Sequence, residues 1–235
     1  VNAYAPGAHG DVAPFAILAG RNAGLTNPQG LVVRDGLLYV ASGPFGPGAP
    51  GVPSVTVFTL PLVPEAGAPI AVIAGPATGL DSPFGLALDA SGNIYAANLN
   101  NTVTVYAPPP PSSHGTPHDV PPILTIAAGL NGPEGVAISG NVLYVATDDN
   151  TIARFSLPTG APGAVIAGPD TRLHQPLGID VDSSGRIFVV NTGDEVLTFA
   201  PDAAGNVAPI AVLAGPATGF NGVQFVAVGL GDASS

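Results

Sequence analysis

Apolar positions come in short runs along the whole chain, each broken by Gly, Pro, Asn or Asp. Val, Ile, Leu, Tyr and Phe dominate the runs, a composition that suits strands bounded by turns. One phrase recurs: Ala16-Ile-Leu-Ala-Gly20, Ala71-Val-Ile-Ala-Gly75, Ala164-Val-Ile-Ala-Gly168 and Ala211-Val-Leu-Ala-Gly215, with a looser copy at Leu124-Thr-Ile-Ala-Ala-Gly129. After most copies comes Pro-x-Gly, at Pro28-Gln-Gly30, Pro83-Phe-Gly85, Pro133-Glu-Gly135 and Pro176-Leu-Gly178. Each Pro-x-Gly opens an apolar run (a), followed by a second such as Leu38-Tyr-Val-Ala41 or Ile94-Tyr-Ala-Ala97 (b). A third run is Val55-Thr-Val-Phe58 or Val103-Thr-Val-Tyr-Ala-Pro108 (c), and the recurring phrase is the fourth (d).

Self-similarity on this scale predicts a repeat architecture. The motif prolines Pro28, Pro83, Pro133 and Pro176 lie 55, 50 and 43 residues apart, the scale of one four-stranded propeller blade at roughly 40–50 residues. Turns between a and b carry the expected chemistry, as in Asp35-Gly36 and Ser91-Gly92-Asn93. The chain opens on a c-like and a d-like run, Asn2-Ala-Tyr-Ala-Pro6 and Phe15-Ala-Ile-Leu-Ala-Gly20. It closes on an a-like run, Phe220-Asn-Gly-Val-Gln-Phe-Val-Ala-Val-Gly229. The expectation is one all-β domain over residues 1–235: a β-propeller of five blades of four short antiparallel strands, sealed by both ends in one composite blade. Residues 2–6 and 15–20 are expected to pair there with residues 223–228. That blade is short of residues, because 221–229 stands where other blades place both a and b.

The repeated Pro-x-Gly-(apolar)-Asp-x-x-Gly-Asn-(apolar)-Tyr-Val-Ala-(apolar)-Val-Tyr-Ala-Pro pattern resembles the NHL-repeat class of β-propellers, especially its secreted bacterial forms. The resemblance covers essentially the whole chain. It implies a propeller and leaves function open, since the class holds interaction modules, lyases and proteins of unknown role. The acidic and histidine clusters of the neighbouring lactonase and streptogramin-lyase-like propellers are not matched position by position.

Charge narrows the partners. Sixteen acidic residues face five basic ones, all Arg, for a net charge of −11. That balance repels phosphate backbones and anionic membrane surfaces, so neither nucleic acid nor membrane insertion is expected. No apolar run approaches the ~18 residues that span a bilayer as a helix. Without Cys there is no thiolate or disulfide chemistry. No signal peptide is visible and residue 1 is Val, so a processed mature chain, extracellular or at the cell surface, is expected.

Candidate chemistry is sparse. Asp89 and Asp182 end equivalent a runs and Asp180 adds a third carboxylate, so Ca²⁺ in the central channel is one reading. The alternative is an Asp capping its own turn, and the equivalent positions elsewhere are Arg34 and Ser139. His174 sits at an a-run entry, as a channel-mouth metal or catalytic candidate or as a solvent-facing loop residue. His114 and His118 are four apart in a proline-rich loop that cannot be helical, and His9 lies near the N-terminus. Asp148-Asp149 and Asp194-Glu195 fall in b–c turns, where solvated carboxylates are expected. Asn100-Asn-Thr102 is a glycosylation sequon, with Asn100 as acceptor. Prolines 108–111 form a polyproline II element, a stiff spacer or a ligand for an aromatic groove.

The outermost d runs are the unusual feature. Ile70-Ala-Val-Ile-Ala74 and Ile210-Ala-Val-Leu-Ala214 carry no charge, whereas natural sheet edges are defended by charge, Lys above all. Either the long c–d connections cover them, or Ile70, Val72, Ile73, Ile210, Val212, Leu213, Val223 and Phe225 form contact surfaces for a protein partner or for self-association. The residues therefore favour a secreted, non-enzymatic interaction or assembly module without a cofactor. The alternative is a small-molecule lyase or hydrolase, lactonase or streptogramin-lyase-like, with a metal in the central channel held by Asp89, Asp180, Asp182 and His174.

Overall fold

The computed structural model describes residues 1–44, 51–62, 68–111 and 116–229. An N-terminal antiparallel pair, β1 (Asn2–Ala3) and β2 (Ala16–Ile17), precedes four blades. Blade 1 is β3 (Pro28–Arg34), β4 (Leu37–Ser42), β5 (Ser54–Thr59) and β6 (Ala71–Ala74). Blade 2 is β7 (Leu86–Leu88), β8 (Ile94–Asn98), β9 (Thr102–Tyr106) and β11 (Leu124–Ile126). Between these last two strands, β10 (Pro117–His118) crosses back to pair in parallel with β6. Blade 3 is β12 (Pro133–Ser139), β13 (Val142–Thr147), β14 (Thr151–Ser156) and β15 (Ala161–Pro162). Blade 4 is β16 (Pro176–Val181), β17 (Ile187–Asn191), β18 (Glu195–Phe199) and β19 (Ala211–Leu213). Each blade is an antiparallel meander in chain order, as the a–b–c–d reading requires. The described helical turns are three-residue pieces, and none is long and apolar enough to cross a membrane.

Strands b and c are apolar on both faces because blades stack face to face. β4 and β8 are buried over almost their whole length. Tyr95, Val103, Val105 and Ile126 of blade 2 pack on Val136, Leu143 and Phe155 of blade 3. The same layers recur between blades 1 and 2 and between blades 3 and 4. The phrase at Ala164–Gly168 departs from its expected strand. Blade 3 has a very short c–d connection, so its edge begins early as β15, and Ile166 only bridges Ile152 and Gly205.

The fifth blade is composite, and the described residues supply its outer and innermost parts. β1 and β2 occupy its outer part, with Ala16 and Leu18 packed on Leu38, Val40 and Phe58 of blade 1. Residues 223–228 take its innermost position but form no regular strand, and among the described residues they share no ladder with β1. The expected pairing of 2–6 and 15–20 with 223–228 is therefore corrected. Both ends contribute to one blade, but its b position lies between them.

Side chains replace the missing ladder. Each blade is entered through a left-handed residue: Asn27, Ser82, Gly132, Gln175 and Gly222 have φ of 49°, 45°, 55°, 42° and 68°. The preceding blade's b–c turn caps that corner. Asn101 Oδ1 accepts from Gly132 N (2.8 Å), Asn150 Oδ1 from Gln175 N (2.7 Å) and Asp194 Oδ1 from Gly222 N (2.6 Å) and Val223 N (3.1 Å). Asp180 Oδ2 then accepts from Val228 N at 2.8 Å. Asp194→Ala removes two of these anchors, so a stability loss of about 1 kcal/mol is expected. New cleavage within residues 222–229 in limited proteolysis is the measurement.

Candidate functional site

The a strands line a central cavity of about 680 Å³ whose walls include Leu86, Val136, Ile138, Ile179, Asp180 and Phe225. Its neck is built by the Pro-x-Gly motifs. A Cβ on Gly30 would lie 2.1 Å from Phe84 O, on Gly85 2.4 Å from Glu134 O, and on Gly135 2.3 Å from Leu177 O. These glycines are required by backbone approaching backbone around the axis rather than by turn geometry. At Gly178 the neighbour is Gln224 O at 2.6 Å. Phe225 therefore stands where the four earlier repeats place glycine. Its ring stacks on Phe84 across the neck, with centroids 5.1 Å apart.

The carboxylates do not converge. Asp89 Oδ1 accepts from Ser91 N and Asn93 N, and its Oδ2 from Asn93 Nδ2 and the Tyr95 hydroxyl. Burial raises its pKa, but these bonds outweigh burial and the net shift is downward. Asp182 caps its turn through Ser184 and Arg186 and is lowered to about 2, by the Ser184 hydroxyl above all. Both carboxylates are used within their own turns. Arg34, the equivalent residue of blade 1, donates to Asp89 O and so ties blade 1 to blade 2. Asp180, the one charge in the described lining, accepts from Val181 N and Val228 N and anchors the terminal segment. Its place among Val32, Ala87 and Ala137 in the other repeats follows from that task.

The histidines stand apart. His174 is exposed with Nδ1 2.9 Å from Thr192 Oγ1, and His9 Nδ1 lies 3.0 Å from Gly7 O. His118 is half-buried on β10, and His114 lies outside the described residues. Among the described residues no three His, Asp or Glu side chains form a metal-sized group. Asn100 is exposed in its b–c turn, where its Oδ1 accepts from Thr102 Oγ1.

Glu134 is the titratable group that sequence reading missed. It is the x of the third Pro-x-Gly and is buried, and Oε2 has no hydrogen-bond partner. Burial first, and the Asp148 charge second, push its pKa up to about 7. The signal was a charged residue at a position filled elsewhere by Gln29, Phe84 and Leu177.

The apolar edges divide. At β6 the edge is covered, since Pro117 and His118 pair with Val72 and Ile73, Ile73 is fully buried, and Ile70 and Val72 are half-buried. The edge at β19 is open, with Ile210, Val212 and Leu213 all exposed. Ile73, Ile126 and Ile166 hold the same register place as Leu213, yet they are 0–3% exposed and Leu213 is 54%. Tyr4, aligned with Tyr106 and Phe199, is 49% exposed where those two are buried. The seam between blade 4 and the composite blade is thus an open apolar cleft. Val223 lies half-buried at its inner end, beside the exposed Phe225.

Five blades about one axis, with short antiparallel meanders and a necked channel, define a β-propeller. Among solved structures the chain is similar to the glutaminyl cyclase of Myxococcus xanthus, with a TM-score of 0.52 and 17% identity over 80% of this chain and 71% of that one. It is also similar to the WD40 β-propeller domain of Doa1, with a TM-score of 0.56 and 13% identity over 79% of this chain. It covers 53% of that chain, about half its length. No family model and no curated protein matches the sequence. At these identities the likeness shows the fold alone.

Proposed function

We propose that this chain is a non-enzymatic propeller of NHL-repeat type that works as a protein-interaction module through the open seam between blade 4 and the composite blade. The carrying observation is the exposure of Leu213 beside its buried counterparts Ile73, Ile126 and Ile166. A contiguous apolar face of this kind marks a contact surface. The channel favours binding over catalysis, because its described lining is apolar but for Gln29 and Asp180, and Asp180 is committed to the chain's own backbone. Asp89 and Asp182 are likewise engaged in their own turns. The WD40 likeness is consistent with interaction by fold analogy only. The resemblance to secreted bacterial forms supports a location outside the cell or at its surface.

Light scattering tests the reading. Without its partner the native chain is expected to self-associate reversibly as concentration rises, and Leu213→Lys to stay near the 23.0 kDa monomer. A native chain monodisperse at 23.0 kDa in concentrated solution would overturn it.

A further inference from the structure

We infer that residues 4–11 are a lid over the open seam, which docks on blade 4 by seating Asp11 and Tyr4 at the corner Gly215-Pro-Ala-Thr218; this rests on the interaction reading and adds the regulation of its surface. The corner leads out of strand d toward the next blade, and it occurs three times in one form. Gly75, Gly168 and Gly215 have φ of 135°, 121° and 100°. Thr78, Thr171 and Thr218 each donate their hydroxyl to the carbonyl of that glycine, at 2.8, 2.7 and 2.8 Å. Residues 75–79 and 215–219 are the same sequence, Gly-Pro-Ala-Thr-Gly.

Two of the three corners are filled by the following blade. Asp119, from the c–d connection of blade 2, accepts from Ala77 N at 2.8 Å, and Asn206, from that of blade 4, accepts from Asp170 N at 2.8 Å. Both side chains press against the corner glycine: a Cβ on Gly75 would lie 2.4 Å from Asp119, and one on Gly168 2.5 Å from Asn206. The strand c aromatic completes the first joint, since the Tyr106 hydroxyl donates to Thr78 O at 2.6 Å. The third corner is formed but empty. Nothing lies within 4 Å of the Cβ position of Gly215, and among the described residues Ala217 N has no hydrogen-bond partner.

The repeats specify the occupant. Tyr4-Ala-Pro-Gly-Ala-His-Gly-Asp-Val-Ala-Pro14 matches Phe199-Ala-Pro-Asp-Ala-Ala-Gly-Asn-Val-Ala-Pro209 place for place. Asp11 therefore holds the position of Asn206, as Asp119 does in blade 2, and Tyr4 holds that of Tyr106. Among the described residues neither the Asp11 carboxylate nor the Tyr4 hydroxyl has a hydrogen-bond partner. Docking gives Asp11 the Ala217 N–H and Tyr4 the Thr218 carbonyl, the same pair of bonds that joins blade 2 to blade 1. It also covers the interaction surface. Ile73 and Tyr106 share one buried cluster, and so do Ile166 and Phe199. Leu213 and Tyr4 hold the same two places and are 54% and 49% exposed. Leu213 is thus covered when the lid docks and open to a partner when it is released, so partner and lid compete for one surface.

Amide hydrogen exchange at Ala217 in the full chain is the test, with Ala77 as internal reference because the two amides share their local sequence. Ala217 is expected to exchange about tenfold more slowly in the native chain than in Asp11→Ala, the effect of a hydrogen bond to a charged acceptor, while Ala77 is unchanged. Asp11→Asn should keep the protection, because Asn206 performs this task at Asp170. Asp11→Ala should also self-associate at a concentration roughly tenfold lower, since the lid no longer covers Leu213. Equal Ala217 exchange in the native and Asp11→Ala chains, or loss of protection in Asp11→Asn, would overturn the inference. So would protection that grows with protein concentration, which seats Asp11 on a second copy, or self-association that is the same with and without Asp11. Light scattering reports on the interaction reading separately: protection of Ala217 by Asp11 in a chain that never self-associates removes that reading and leaves the docked lid in place.

Discussion

Gly135→Ala is expected to cost about 4 kcal/mol or more, enough to leave much of the chain unfolded at ordinary temperature. The added Cβ would lie 2.3 Å from Leu177 O, 2.9 Å from Ile179 N and 3.0 Å from Gly178 Cα. All three are backbone atoms of β16, at or beside a bulge held on both sides by ladder pairs to β17, Pro176 with Asn191 and Ile179 with Val189, so that it has little room to step back. Gly178→Ala provides the contrast. Its Cβ would meet Gln224 O at 2.6 Å and Phe225 Cα at 2.7 Å, in a segment with no strand partner and a few side-chain anchors. That segment can shift, so about 1–2 kcal/mol is expected, the ordinary cost of overpacking, with partial loss of the Phe84–Phe225 stack. Thermal and urea melts of the two variants decide the matter, and equal losses would show that the neck is not held by backbone contact.

The second large effect is a pH dependence centred on Glu134. Its carboxyl titrates near 7 in the folded chain against 4.5 ordinarily, so the folded state binds the proton more tightly than the unfolded one. Between those values the folded chain holds more protons, and stability falls as pH rises from about 4.5 through about 7. The expected loss is roughly 2–3 kcal/mol once ionisation is complete. Glu134→Gln should abolish this slope and raise the melting temperature at about pH 8 by roughly 5 °C. At the acid end Asp182 acts oppositely, because its lowered pKa gives stability that is present above 3.8 and is lost as pH falls through about 2. Melting curves of the native chain and of Glu134→Gln that stay parallel from about pH 5 to pH 8 would show that burial does not hold this proton.

Much of the fold is legible in the sequence because the strands are local and the repeats align. The runs at Leu38-Tyr-Val-Ala41 and Val103-Thr-Val-Tyr106 become β4 and β9 with the expected neighbours. Pro-x-Gly was legible as punctuation, but its steric meaning was not, since the atoms that exclude a Cβ at Gly135 belong to another repeat. Cover of the Ile73 edge by a long c–d connection was one of two readings of the sequence; that the cover comes from the following blade, through Pro117 and His118, was not legible. Asp180 looked like a third carboxylate of a channel metal site because a carboxylate in an inner strand has few uses, and its acceptor role needs Val228 beside it. Glu134 was marked only as a charge at the x place of Pro-x-Gly, and its burial was not legible from that. The open seam was foreshadowed by the uncharged run Ile210–Ala214 and by a shortage of residues between Asn221 and Gly229.

The glycine neck also bears on how such a chain can grow. Because Gly30, Gly85 and Gly135 each sit against a carbonyl of the next blade, the circumference at the axis is set by touching main chains, not by side chains that could repack. A duplicated repeat would enlarge that circumference and draw every contact apart at once. Deleting a repeat would force carbonyls into one another. Gene duplication can therefore lengthen the outer loops of this propeller freely, while the blade number stays locked by the absence of a Cβ at these three glycines.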